Sequence, residues 1–295
     1  AAGSGTLLMN VAHVIGENRC AIYTQDISQK SSNLLRLNLI LNNLVHSIPN
    51  VVQGNTMLHP YHKEGNELKK FDYIVSNPPF KLDFSDFRDN LDTKANKERF
   101  FAGIPKVKPK DRDKMEIYQL FLQHIIYSLK EKGKAAIVVP TGFITALSGI
   151  DKKIREYIVK NKLLAGVISM PSNIFATTAT SVSILFLEKN NIEKVILIDA
   201  SQLGSKVKDG KNQKTILSNI EEIKIIDIFN QKLAIDNLSV VVGLDEISSK
   251  NFSFSAGQYT KVKVKTESIS EQTLDEMIKH YDFVLSELFK ESKVL

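Results

Sequence analysis

The sequence predicts an α/β fold, a sheet with helices on both faces, and three observations carry that prediction. Apolar runs of strand length alternate with amphipathic runs of helical period through the first half of the chain. A glycine-rich turn, Ala1-Ala2-Gly3-Ser4-Gly5-Thr6, precedes a helical stretch, and the next strand ends in Asp26, about 20 residues past the loop. A hydrophobic strand then runs into Asn77-Pro78-Pro79-Phe80. In such sheets ligands sit beyond the carboxyl ends of the strands, which is where the glycine turn and the Asn77 tetrapeptide fall.

Residues 6–17 read as the first helix, set off by the glycine turn, and 20–25 as a strand. Residues 28–43 carry Leu34, Leu35, Leu37, Asn38 and Leu41 at helical spacing. Residues 51–54 make a short strand, and 71–76 a strand stopped by the prolines. Residues 81–113 lack periodicity and carry Gly103, Pro105 and Pro109, a long loop of the functional kind. On 114–130, Ile117, Leu120, Phe121, His124, Ile125 and Leu129 share one helical face; Lys132-Gly133 punctuates, and 134–139 is a strand. A helix at 151–160 and strands at 163–170, 182–188 and 195–199 follow.

The pattern loosens from about Ser201. Residues 204–214 are polar and basic and read as a loop, 216–229 as a helix, and 237–259 as irregular. The final segment, 270–295, places Leu274, Met277, Ile278, Tyr281, Val284, Leu285, Leu288 and Phe289 near the heptad period. That long amphipathic helix either packs on its own domain or binds a partner.

Composition narrows the function classes. A chain of 295 residues allows one large domain, or one plus a small appendage. No apolar stretch approaches bilayer length and none has the layout of a signal peptide, so a cytoplasmic protein without a membrane partner is expected. The single cysteine, Cys20, excludes an internal disulfide and a multi-cysteine zinc site. No clustered His, Cys or Asp spacing calls for a metal, and His59 and His62 read as surface imidazoles. The net charge of +6 suits a polyanionic partner.

A glycine turn ahead of a helix lets backbone approach a ligand closely and aims free amides at it. Asp26 stands where an acidic side chain holds ribose hydroxyls. In Asn77-Pro78-Pro79-Phe80, the Asn77 side-chain oxygen and the Pro78 carbonyl both accept hydrogen bonds from an exocyclic amine. The prolines fix the backbone so that these acceptors converge, and neither offers a competing N–H. Phe80 gives a flat face on which an extruded base can stack. The plainer alternative is a strand stopped by prolines, with Asn77 as a turn residue and Phe80 as core.

With these residues in place the chain resembles a family. Asn-Pro-Pro-Phe after such a strand resembles motif IV of the amino-methyltransferases, and Ala1, Ala2, Gly3, Ser4, Gly5 and Thr6 resemble their cofactor loop, motif I. Tyr23-Thr24-Gln25-Asp26 resembles motif II and Gly54-Asn55-Thr56 motif III. Residues 118–140 and Pro171-Ser172-Asn173-Ile174-Phe175, followed by 180–189, are similar to segments of type I modification subunits. The likeness covers residues 1–190 well and continues more faintly through 254–259 to the final helix. The motif order is that of the gamma class. The resemblance implies the modification (methyltransferase) subunit of a type I restriction-modification system, a gamma-class N6-adenine DNA methyltransferase. Its implied fold is a Rossmann-like S-adenosylmethionine-dependent methyltransferase sheet with a C-terminal helical extension.

The resemblance implies catalytic roles for Asn77, Pro78, Pro79 and Phe80. It implies S-adenosylmethionine binding by residues 1–6, Asp26, Ile27, Asn55, Thr56 and Asn77. Asn55 stands where motif III usually offers an aspartate, and its oxygen is expected to face the adenine amine of the cofactor. The chain begins inside motif I, so the first strand and the N-terminal helical domain of the family are expected to be missing from it. A sheet without that central strand would expose open ladder edges. The implied organisation is a catalytic core at 1–200, an irregular extension at 201–269 and a partner-binding helix at 270–295.

The implied partners are double-stranded DNA and a separate specificity subunit, in a multi-subunit complex with two modification subunits. Whether a restriction nuclease subunit joins stays open. Lys94, Lys97, Arg99, Lys106, Lys108, Lys110 and Arg112 would contact phosphates, although Asp83, Asp86, Asp89, Asp92 and Glu98 in the same segment fit a solvated charged loop equally. Two alternatives remain: methylation of a protein glutamine, cytosine N4 or RNA, and a catalytically degenerate scaffold for the specificity subunit.

Overall fold

The computed structural model describes residues 2–175, 181–192, 194–210, 212–260 and 278–285. By its internal contacts the chain divides into residues 1–260 and 261–295. In the second unit residues 278–285 are helical, and the remainder of the helix expected at 270–295 lies outside the described residues.

Helix α1 (Thr6–Ile15) starts from Gly5 and buries Met9 and Ala12 against Leu35, Leu39, Ile22, Leu44 and Val51. Strand β1 (Thr24–Asp26) pairs in parallel with β2 (Val51–Gln53). Between them lies α2 (Gln29–Leu41), whose N-cap Ser28 accepts from the Ser31 amide. The strand expected from Cys20 begins only at Thr24, because neighbouring side chains satisfy its first backbone groups. Ser47 Oγ takes the Ile22 amide at 2.9 Å, and His46 Nε2 lies 2.8 Å from the Cys20 carbonyl. A small hairpin, β3 (Lys63–Glu64) and β4 (Glu67–Leu68), precedes β5 (Phe71–Ser76).

The segment after β5 holds the short α3 (Arg88–Leu91) and leads into α4 (Tyr118–Tyr127) and β6 (Leu129–Pro140). β6 begins earlier than the sequence predicts, but the punctuation at Lys132-Gly133 is real. Phe71 pairs with Leu129 while Tyr73 pairs with Lys134, so residues 130–133 bulge out of the ladder. Gly133 sits where a Cβ would come within 2.9 Å of the Phe71 carbonyl oxygen. Then follow α5 (Gly149–Lys160), β7 (Leu164–Ser169), β8 (Val182–Glu188) and β9 (Val195–Asp199).

These strands build a six-stranded sheet in the order β12-β9-β7-β8-β6-β5. β5 runs parallel to β6 and β7 to β9, whereas β8 is antiparallel to both β6 and β7. The period of two in β9 explains the helices on both faces. Val195 and Leu197 join the core built with Leu122, Ile125 and Ile126 of α4 and Ile154 and Ile158 of α5. Ile196 and Ile198 face the opposite way, onto Ile225 and Ile228 of α6 (Asn219–Gln231). Each such side chain, fully buried, contributes about 1.5–3 kcal/mol.

The stretch expected as irregular, 201–269, is more regular in its described part. A hairpin, β10 (Ser205–Asp209) and β11 (Asn212–Ile216), replaces the loop read at 204–214. Strand β12 (Ser239–Val242) adds antiparallel to β9 at the sheet edge, and α7 (Leu244–Ser249) follows. The α/β class, with helices on both faces, is as the sequence predicts. β1 and β2 form their own sheet, and β1 makes no ladder with β5.

Candidate active site

A cleft of about 880 Å³ lies between the glycine turn, β1 and β5. Ala2, Gly3, Ser4, Gly5, Thr6, Asp26, Thr56 and Asn77 all line it, so four stretches distant in sequence meet there. Ile27, Asn55, Pro78, Pro79 and Phe80 stand outside its wall, and Ala1 lies outside the described residues.

The glycine turn is held from two sides. Gly5 adopts φ +83, which favours glycine, and a Cβ there would sit 2.6 Å from Leu35 Cδ1 and push that side chain aside. Asn38 Nδ2, on α2, donates to the Ser4 carbonyl at 2.9 Å. Asp26 Oδ2 accepts from the amides of Ala2 at 2.8 Å and Gly3 at 3.0 Å, and Oδ1 accepts from the Ser28 amide at 2.9 Å. Burial pushes the Asp26 carboxyl up, but the Ser28, Gly3 and Ala2 amides together outweigh it and hold the group below its ordinary value. Two of the turn's amides thus face a carboxylate of this chain. The free donors are one step further on: α1 has no side-chain N-cap, and its first intrahelical acceptor, Gly5, is reached by Met9.

Asn55 departs from its expected orientation. Its Oδ1 accepts from the amides of Met57 at 2.9 Å and Leu58 at 3.3 Å, so the oxygen is committed to its own turn. Nδ2 is the group left over. Thr56 Oγ1 reaches the Gln25 carbonyl at 3.4 Å, joining this turn to β1.

Asn77 follows β5 directly and is exposed, with no side-chain hydrogen-bond partner among the described residues. Pro78 is buried and Pro79 exposed. Phe80 is half-buried against the main core, its ring 6.2 Å from that of Tyr118 at an interplanar angle of 77°. Tyr118 Oη donates to Asp151 Oδ1 at 2.7 Å. Gln119 Nε2 donates to the same oxygen at 2.7 Å and to Glu116 Oε2 at 2.8 Å. Burial raises the Asp151 carboxyl above its ordinary value despite these donors.

The charged segment at 81–113 divides by residue. Lys94, Lys97, Lys106, Lys108, Lys110 and Arg112 are exposed. Arg99 is 4% exposed and donates to the carbonyls of Thr56 and Met57, each at 2.8 Å, and to His124 Nδ1 at 3.0 Å. It is therefore not a phosphate contact, because all three of its hydrogen-bonding nitrogens are turned inward. Phe84, Leu91, Phe100 and Met115 anchor the segment in a core shared with Met57 and Leu120. His62 is likewise not the surface imidazole expected. It lines the cleft beside Tyr23, with ring centroids 5.3 Å apart, and burial holds it below its ordinary value. His59 is exposed.

Sequence reading missed Asn38 and Arg99 as parts of the site. Asn38 carried a signal, a carboxamide inside an apolar helical stripe. Arg99 carried little, since buried arginine and exposed lysine alternate in the same charged run.

The family model for N-6 DNA Methylase matches residues 1–268. The methylase subunit of the type I restriction enzyme MpnII from Mycoplasma pneumoniae is 30% identical over 288 residues, covering 94% of this chain and 51% of that protein. The corresponding MjaIX subunit from Methanocaldococcus jannaschii is 27% identical, covering 94% and 49%. The crystal structure of a type I restriction-modification methyltransferase subunit from Streptococcus thermophilus superposes with a TM-score of 0.72 at 25% identity, covering 88% of this chain and 52% of that one. A putative class I S-adenosylmethionine-dependent methyltransferase from Listeria monocytogenes shares the fold, with a TM-score of 0.52 at 17% identity, covering 78% and 61%. The chain spans about half the length of the curated relatives it matches.

Proposed function

Because the chain belongs to the N-6 DNA methylase family, we propose that it carries the catalytic core of a site-specific DNA adenine-N6 methyltransferase. It uses S-adenosylmethionine and acts as a modification subunit beside a separate DNA-specificity subunit, in a complex with two modification subunits. The observation that carries this reading is Asn77, at the end of β5 and without a side-chain hydrogen bond among the described residues, in the wall of the cleft that also holds the glycine turn, Asp26 and Thr56.

The residues fit a nucleoside cofactor. The cleft lies within the range of about 300–1,000 Å³ common for small-molecule sites. The uncapped start of α1 offers backbone N–H donors. Asp26, kept ionised by its three amides, has acceptor capacity left for a ribose hydroxyl. Asn55, its oxygen committed to its own turn, does not supply the acceptor that the usual carboxylate offers, so this turn contributes through Thr56.

S-adenosylmethionine supplies a methyl group already activated on a sulfonium. The work of the protein is to orient a poor nucleophile. Asn77 Oδ1 and the Pro78 carbonyl accept the two hydrogens of the adenine amine, aim its nitrogen lone pair and stabilise the positive charge that grows on it during transfer. Phe80, steadied on its edge by Tyr118, supplies the stacking face for the extruded base. The exposed Lys94, Lys97, Lys106, Lys108, Lys110 and Arg112 supply counter-charge for phosphates. No described helix is long and apolar enough to cross a membrane.

The test is to incubate the protein and its specificity subunit with methyl-labelled cofactor and DNA, and in a parallel reaction RNA, then separate the protein and digest the nucleic acid to nucleosides. Label in N6-methyldeoxyadenosine is expected. Label in N4-methyldeoxycytidine, in RNA or in protein would move the activity to another amine or amide. No label, together with no calorimetric heat from S-adenosylhomocysteine, would leave a scaffold.

A further inference from the structure

Arg99 is a cation enclosed by the protein with no ion-pair partner among the described residues. Its hydrogen-bond partners, the Thr56 and Met57 carbonyls and His124 Nδ1, are formally neutral. Burial pulls its guanidinium down to about 10. Enclosing a charge in this way is costly unless it is hydrogen-bonded, and each of the three guanidinium nitrogens makes one such bond.

That geometry reaches the wall of the cleft through Thr56 and His124. The Thr56 and Met57 carbonyls are consecutive groups of the turn that opens with Asn55. Asn55 Oδ1 holds the Met57 and Leu58 amides of the same turn, so the peptides are gripped by their carbonyls from one side and by their amides from the other. Thr56, between the two grips, lines the cleft and reaches β1 through Gln25. Arg99 comes from the opposite direction in sequence, from the segment that follows Asn77–Phe80, and Phe100 beside it is buried with Met57 and Leu120. Its bond to Nδ1 also fixes neutral His124, another residue of the cleft wall, as the Nε2–H tautomer.

We propose that Arg99 is a positioning residue for cofactor binding: its fork sets Thr56, and the turn that carries it, in the wall of the cleft. The proposal rests on the cofactor reading above. Lysine cannot replace the fork, because an ammonium is a compact point charge without the planar array that reaches two carbonyls and an imidazole together.

The test is Arg99→Lys, which keeps the charge, beside Phe84→Leu, which disturbs the same core without touching Arg99 or the Thr56 and Met57 carbonyls. Calorimetric titration with S-adenosylhomocysteine, thermal melting and steady-state kinetics are measured on the full chain with its specificity subunit. Arg99→Lys is expected to weaken S-adenosylhomocysteine about tenfold and to raise the cofactor KM in step, while KM for DNA and kcat stay within about twofold. Phe84→Leu is expected to lower the melting temperature without that shift in affinity. Unchanged affinity in folded Arg99→Lys overturns the proposal. So does an equal loss of affinity in both variants at equal loss of melting temperature, because packing alone then accounts for it. Wild-type protein that binds no S-adenosylhomocysteine overturns the cofactor reading itself, and the role of Arg99 with it.

Discussion

Asn38 Nδ2 donates to the Ser4 carbonyl at 2.9 Å, so α2 holds the glycine turn in place from 34 positions away in sequence. The same helix fills the space above Gly5 with Leu35, which leaves the turn pressed against one helix by an apolar contact and tied to it by a polar one.

Removing the polar tie alone is informative. Asn38→Leu is expected to lower stability by about 1 kcal/mol, the net worth of one such bond. It should weaken S-adenosylhomocysteine by about three- to tenfold, because the turn loses its fixed carbonyl while Gly5 and Leu35 still pack. Thermal melting and titration calorimetry check both numbers. Affinity equal to the wild type would remove Asn38 from the site.

Asp151 gives a pH signature. Its carboxyl is raised by burial, so the folded chain holds that proton more tightly than the unfolded chain does. The stabilisation this brings is complete below the unfolded value and is lost as pH rises through the raised folded one. Asp151→Asn keeps an oxygen for Tyr118 and Gln119 and never ionises. Its melting temperature relative to wild type should therefore increase as pH rises from about 4, the ordinary carboxylate value, and level off once the raised folded value is passed. Glu116, raised first by its own burial and then by the Asp151 charge, adds in the same direction. A constant difference across that range would mean that Asp151 ionises freely in the folded protein.

Much of this arrangement was legible in the sequence, for reasons that differ by residue. The runs at 182–188 and 195–199 are apolar because both faces of their strands are buried, and they match β8 and β9 residue for residue. Pro78 and Pro79 cannot donate to a ladder, so the end of β5 at Ser76 was fixed by local chemistry. Asp26 was legible from its spacing after the glycine turn and Asn77 from the two prolines and the aromatic that follow it, and both line the cleft. The β10–β11 hairpin was missed because Lys206, Lys208 and Lys214 hide any alternation, although Asp209-Gly210 is a turn signal and Gly210 takes φ +61. The commitment of Asn55 Oδ1 and the burial of Arg99 were not legible at all. Both depend on which backbone groups of a distant turn need partners, and neither pattern nor charge reports that.

Asn77→Ala tests the proposed chemistry most directly, with single-turnover methyl transfer and S-adenosylhomocysteine affinity measured on the same preparation. Transfer is expected to fall by at least about 10²-fold, the scale for losing one group that stabilises developing charge, with affinity within a few fold of wild type because Asp26 and the glycine turn are untouched. Transfer at the wild-type rate in that variant would contradict the role assigned to the Asn77 oxygen, and with it the account of how this cleft acts on an amine.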